Sequence, residues 1–377
     1  MHRLAAYLCT LAICAGVQAQ EQGQLDANET LFSVMAAVNM GVPSPSPVVL
    51  EHIKGKSIPV LSELRNFVVS HAKPGQPVDW SPYISFALSS QEAPNFKPNF
   101  TGVEEPPDLA QLEGFRSLLI RFYREASLND LWNKLQPVYQ REITKYHEPV
   151  TRALLEANGY LRNPTSGYMG RRFFVFVEML APANQVHTRS YKDDYFIVLT
   201  PAAQPRVHQV RHAYLHYLLD PLTMKFSESV MKKNSLSDYA LGAVALDESY
   251  KSDFLLLTTE SLIRAIETRL DRKPAGIKES LAEGFILTPF FGEALPAYEK
   301  QEAAMRMYFP DMMNTLDIRK EVKRLDAVDL TVRPAKAPAP PPVVAVGEPV
   351  RDAAETTIEA AEKLYESREL EKAGEIF

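Results

Sequence analysis

The chain has 377 residues, 46% hydrophobic and 23% charged, which supplies a core for one large domain or two ordinary ones and excludes a disordered chain. A formal net charge of −6 argues against nucleic acid as the main partner. The two cysteines, Cys9 and Cys14, both fall near the start, so a disulfide framework, a thiolate metal site and a cysteine nucleophile are excluded from the rest of the chain.

Met1-His2-Arg3 is a short basic start, followed by an apolar run from Leu4 to Val17 and a small-residue site ending at Ala19. This pattern predicts a secretory signal peptide over 1–19, cleaved after Ala19, and a periplasmic or secreted protein with no transmembrane segment. A lipid anchor on Cys14 is the rival; the bulk of Ile13 before it argues against that cleavage. Asn28 and Asn99 match the glycosylation pattern, which is common by chance.

Apolar residues at helical spacing predict helices over 29–39 and 48–71. Residues 73–107, rich in Pro, Asn and Ser, read as a long loop with short helical pieces. Helical spacing resumes over 109–123 and 128–158, with Gly159 closing the second helix. Then RRFFVFVEML (171–180) and YKDDYFIVLT (191–200) read as strands, joined by a turn at 181–184. A helix comes next over 206–219 and stops at Asp220-Pro221. Further helices are expected at 253–270, 278–287 and within 297–325. Residues 331–350 hold six prolines and predict an extended Pro/Ala-rich linker. Beyond it, residues 351–377 resemble the opening of a tetratricopeptide-like repeat, with Ala373 and Phe377 at the spacing of its second helix. The fold class expected is α+β, mostly helical: a helical lobe, then a small antiparallel sheet and a helix of the active-site type.

Chemistry concentrates on the helix after the second strand. His208, His212 and His216 are spaced by four, so successive imidazoles share one helix face. The pair in HAYLH (212–216) has the spacing that places two rings on one metal ion. Histidines so spaced are more often solvated surface residues. Here the surrounding AYLHYLL (213–219) is apolar almost all round, which predicts a buried helix and imidazoles that need partners on both nitrogens. A metal ion is one such partner; a structural hydrogen bond from His216 to Asp220 is the other. Glu260 is the best third ligand, on a helix where it shares a face with Arg264 and Glu267, and Glu283 is a weaker one. A salt-bridged helix surface is the bland reading of that face.

The order of strand, Pro-bounded turn, HxxxH helix and downstream Glu-bearing helix resembles the gluzincin branch of zinc metallopeptidases, and HAYLHYLLDP is similar to the active helix of secreted bacterial members. The resemblance spans about 109–325. It implies a zincin-like domain over 20–330 with His212, His216 and Glu260 as zinc ligands, and a strand at 195–200 that forms an edge able to pair with substrate. The general-base glutamate of that group is replaced by Ala213, which has no proton acceptor, so a glutamate restored there would sit at the correct helical offset. Three functions are expected, in this order: a zinc-metallopeptidase-like protein with an impaired site, able to hold a peptide or protein partner; a helical-repeat interaction or scaffold protein of the envelope with no metal; and an active metallopeptidase with an unusual base.

Overall fold

The computed structural model describes residues 24–73, 75–99, 106–163 and 170–331; the expected signal peptide, most of the linker and the repeat-like tail lie outside them. The described chain is α+β and mostly helical, with one four-stranded sheet.

Strand β1 (Gln24–Asp26) leads into helix α1 (Glu29–Asn39), whose first turn is closed by Asn28 Oδ1 accepting from the Leu31 amide at 2.8 Å. Almost every residue of α1 is buried, so it forms the axis of the first lobe. Around it lie α2 (Pro47–Ile53), α3 (Leu61–Ser70), α4 (Ser81–Leu88), a 3-10 turn (Pro107–Leu112) and α5 (Phe115–Glu125). The single helix expected over 48–71 is thus two, broken where Gly55 adopts φ +75° and Pro59 comes after it. The stretch expected as a loop with short helical pieces contains one such piece, the eight-residue α4.

The 34-residue α6 (Leu128–Leu161) runs through both halves of the molecule. Leu131, Trp132 and Tyr139 pack with Phe32 in the first core, while Ile143, Tyr146, Val150 and Ala157 belong to the second. Gly159 does not close it; the helix ends at Arg162, in the left-handed region at φ 53°.

Strands β2 (Arg172–Val177), β3 (Val186–Tyr191) and β4 (Asp194–Leu199) complete a sheet of order β1-β2-β4-β3. The sheet is mixed rather than antiparallel. β2 pairs parallel with both β1 and β4, and β3 alone runs antiparallel, against β4. Of the two unforeseen strands, β1 and β3, the second is the reason: the chain leaves β2, passes beyond the β4 position to lay down β3, and turns back, so β4 returns in the direction of β2. β4 is therefore interior, and the strand expected as the edge is flanked on both sides; the edges are β1 and β3. Alternate residues face opposite ways. Phe173, Val175, Tyr195 and Ile197 enter the second core, while Phe174, Phe176 and Phe196 stack with centroids 5.2–6.1 Å apart on the other face.

Helix α7 (Val207–Lys225) continues past the expected stop at Pro221. Proline has no N–H to give the Tyr217 carbonyl, and Arg171 Nη1 donates to that carbonyl at 2.7 Å in its place. Short helices α8 (Ser227–Met231), α9 (Ser237–Leu241) and α10 (Glu248–Ser252) lead to α11 (Phe254–Leu270), started by Asp253 accepting from two backbone amides. Gly284, at φ +105°, ends α12 (Ala275–Glu283) before the length expected, and α13 (Thr288–Glu299), α14 (Met305–Asn314) and α15 (Ile318–Leu325) divide the stretch from there to the linker. Among the described residues no helix is long and apolar enough to cross a membrane.

Candidate metal centre

Helices α7 and α11 pack against each other. Polar pairs along the seam fix their register as antiparallel: Arg211 Nη2 to Asp271 Oδ1 at 2.8 Å near one end, and the Thr223 and Thr259 hydroxyls 2.6 Å apart near the other. Between them, His212 and His216 lie one helical turn apart with ring centroids 5.0 Å from each other. Opposite them stands Glu260, only 1% exposed.

The three side chains converge. His216 Nε2 lies 3.0 Å and His212 Nε2 3.4 Å from Glu260 Oε2. Each residue offers a ligand atom, all within 4.8 Å of one another, so the group could hold a metal ion. The sequence-expected ligands are therefore in one place.

The outer partners are as telling as the ligands. His216 Nδ1 donates to Asp220 Oδ1 at 2.9 Å, and His212 Nδ1 donates to Glu267 Oε2 at 3.2 Å. A carboxylate only accepts, so each Nδ1 must carry a proton. A neutral ring then has a lone pair on Nε2, and both lone pairs face an oxygen that is itself an acceptor. That arrangement is repulsive unless positive charge sits between the groups, supplied by protons on both Nε2 atoms or by a cation. In the absence of a cation, burial pulls the histidines down, but the hydrogen bonds to carboxylates outweigh it: His212 is raised to about 10, by Glu260 and Glu267, and His216 to about 9, by Asp220 and Glu260. Burial would raise Glu260, yet its hydrogen bonds to both imidazoles hold it well below the usual carboxylate range. Asp220 was the alternative partner foreseen for His216; it binds the nitrogen that a metal would leave free, so the two readings coexist.

Glu260 has a second oxygen, Oε1, which accepts from Arg264 Nε at 2.6 Å. The same guanidinium donates through Nη1 to Glu283 Oε2 at 2.6 Å and lies 3.7 Å from the Phe285 ring centroid. Glu283, the weaker ligand candidate, is thus held by Arg264 and does not join the three converging groups. His208 does not join them either; it lines a neighbouring cavity. The outer roles of Glu267 and Arg264 were missed as roles, although their shared face with Glu260 was visible.

Ala213 is 2% exposed and belongs to the apolar cluster beneath the helix. A longer side chain there has the helical offset expected of a general base, but it would enter packed hydrocarbon. Comparison with known proteins finds no matching family model, no matching curated protein and no matching solved structure.

Proposed function

We propose that the chain is a periplasmic or secreted zinc-metallopeptidase-like protein whose peptidase chemistry is impaired at Ala213. The single observation that carries this reading is the convergence of two imidazole Nε2 atoms on Glu260 Oε2 while carboxylates hold both Nδ1 atoms. Two nitrogens and one carboxylate oxygen form a donor set suited to zinc. Resemblance of the HAYLH helix and the later Glu260 to gluzincins points the same way.

In this reading His212, His216 and Glu260 are the ligands. Asp220 and Glu267 orient the rings, and Arg264 holds the Glu260 carboxylate in place. Zinc, when bound, supplies Lewis acidity and lowers the pKa of a bound water. The protein then lacks the group that would accept that water's proton, because Ala213 replaces it; a positioned acid or base contributes about 10²–10⁴-fold to rate. The site binds and does not cleave at an appreciable rate. The edge strand β3 offers backbone groups to an extended peptide.

Zinc content of the purified chain tests the proposal. About one zinc per chain is expected, with no chelator-sensitive peptidase activity on unfolded protein substrates. Robust, chelator-sensitive cleavage would establish an active peptidase with a different base. A second reading is a scaffold that needs no metal, favoured by the fact that the same groups satisfy one another when both rings are protonated. Failure to take up zinc at any concentration would establish that one.

A further inference from the structure

The Glu260 carboxylate faces two ways. Its Oε2 lies 3.0 Å from His216 Nε2 and 3.4 Å from His212 Nε2, while its Oε1 accepts from Arg264 Nε at 2.6 Å. Arg264 is itself held on three sides. It stands one helical turn after Glu260 on α11, donates through Nη1 to Glu283 Oε2 at 2.6 Å, and sets its guanidinium carbon 3.7 Å from the Phe285 ring centroid. A planar guanidinium engaged in this way has little freedom to follow a moving carboxylate. It occupies two carboxylate oxygens at once, Glu260 Oε1 and Glu283 Oε2, and Glu283 lines the cavity beside His212.

This fixes how many oxygens a bound ion can reach. A carboxylate can give a metal one oxygen or both. Turning Oε1 toward the imidazoles would break its bond to Arg264 and leave a guanidinium unpaired beside a group only 1% exposed, where little solvent can replace the lost partner. Two imidazoles, one carboxylate oxygen and one water complete a four-coordinate zinc centre. Manganese and magnesium instead ask for octahedral surroundings made mostly of oxygen. Glu260 Oε1 and Glu283 Oε2 are the nearby carboxylate oxygens that could supply more of it, and Arg264 holds both.

We propose that Arg264 is a positioning residue that restricts the centre to a single carboxylate oxygen, and so selects a four-coordinate ion over divalent ions that need six ligands. The inference rests on the zinc reading of the same site and adds to it the residue that sets the choice of metal.

Cobalt(II) reports the geometry, because it absorbs visible light strongly when four-coordinate and weakly when six-coordinate. Full-length wild type loaded with cobalt should give the strong spectrum, and X-ray absorption of the zinc-loaded chain should show four near neighbours. R264M keeps a long apolar stem but neither donor nor charge. Its cobalt spectrum should lose most of its intensity as further oxygen enters, and manganese should gain about tenfold on zinc in direct competition. The ratio of the two ions is the readout, since loss of a nearby positive charge strengthens the hold on every divalent ion alike. R264K keeps a charged donor for Oε1 and should restore the wild-type spectrum. E283Q, whose amide oxygen can still accept from Arg264, should leave that spectrum unchanged. Strong cobalt absorption in R264M, with the zinc-to-manganese ratio of wild type, overturns the inference and leaves the zinc reading standing. More than four near neighbours around zinc in the wild type overturn it without recourse to any variant. Wild type that takes up neither zinc nor cobalt overturns the zinc reading and the inference together.

Discussion

Glu260 and Glu178 are both shut away from water, 1% and 0% exposed, and they behave in opposite ways. Glu260, between α7 and α11, is surrounded by cationic donors: two imidazoles and a guanidinium. Glu178, at the end of β2, receives the Tyr139 hydroxyl at 3.1 Å and the Leu180 amide at 2.7 Å, both on Oε1, while Oε2 has no hydrogen-bond partner. Burial therefore raises the Glu178 carboxyl to about 8, only partly opposed by its two hydrogen bonds. The first site stores negative charge; the second excludes it. Burial does not by itself mark a functional acid, and the charge of the partners does.

The largest effect expected is at the first site. In the proposed zinc reading His216→Ala removes a ligand and should reduce zinc from about one per chain to none by elemental analysis, because two remaining protein ligands rarely hold zinc. Stoichiometric zinc in that variant would break the comparison, since Glu260 would then owe its charge to something other than a metal centre.

Glu178→Gln probes the other acid. In the unfolded chain its carboxyl ionises near the ordinary value of 4.5; in the folded chain it stays neutral up to about 8. Folded protein binds the proton more tightly, so stability from this group is full below 4.5 and is lost as pH rises through about 8. The loss is on the order of 3–5 kcal/mol. Glutamine cannot ionise, so the melting temperature of wild type should fall more steeply than that of the variant between about pH 5 and 8. Parallel curves would show that Glu178 is ionised in the folded protein.

Ala213→Glu places an acid in surroundings like those of Glu178 rather than Glu260. It should cost about 3 kcal/mol at neutral pH, seen as a lowered denaturation midpoint, and restore no peptidase activity. Regained turnover would show that the cleft admits the side chain. Asp220→Asn removes the charge behind His216 while keeping an acceptor for its Nδ1 proton; zinc affinity should fall about 10–100-fold by competition with a chromophoric chelator. His208→Ala should leave zinc content unchanged, because its ring is not among the converging groups.

The converging group was legible because helical spacing of four fixes which side chains share a face, and because apolar neighbours at 213–219 marked the helix as buried. Its surroundings were not. Whether Glu267 faces His212, or Arg264 grips Glu260, depends on the antiparallel register of two helices separated by a long stretch of chain, and no local pattern encodes that. The same limit explains α7: Pro221 reads as a stop until Arg171, from another element, satisfies the stranded carbonyl. Strand β3 escaped because VHTRSY is polar and half-exposed, the character of an edge, while the apolar β2 and β4 stood out. Missing β3 reversed the inferred direction of its neighbour and so turned a mixed sheet into an antiparallel one.

The first lobe is completed by residues that arrive late. Its core includes Leu180, Ala181 and Val198 in addition to α1–α5 and the start of α6. Leu180 O accepts from Asn39 Nδ2 at 2.8 Å, a contact spanning 141 residues. During synthesis the first helices can cover most of one another's apolar faces, but the part of the core completed by Leu180, Ala181 and Val198 waits for the sheet. Loop-closure entropy is then met before the long-range contacts repay it, which slows folding and lengthens the exposure of those faces. The part of the chain made first keeps one side of its core open until the sheet arrives.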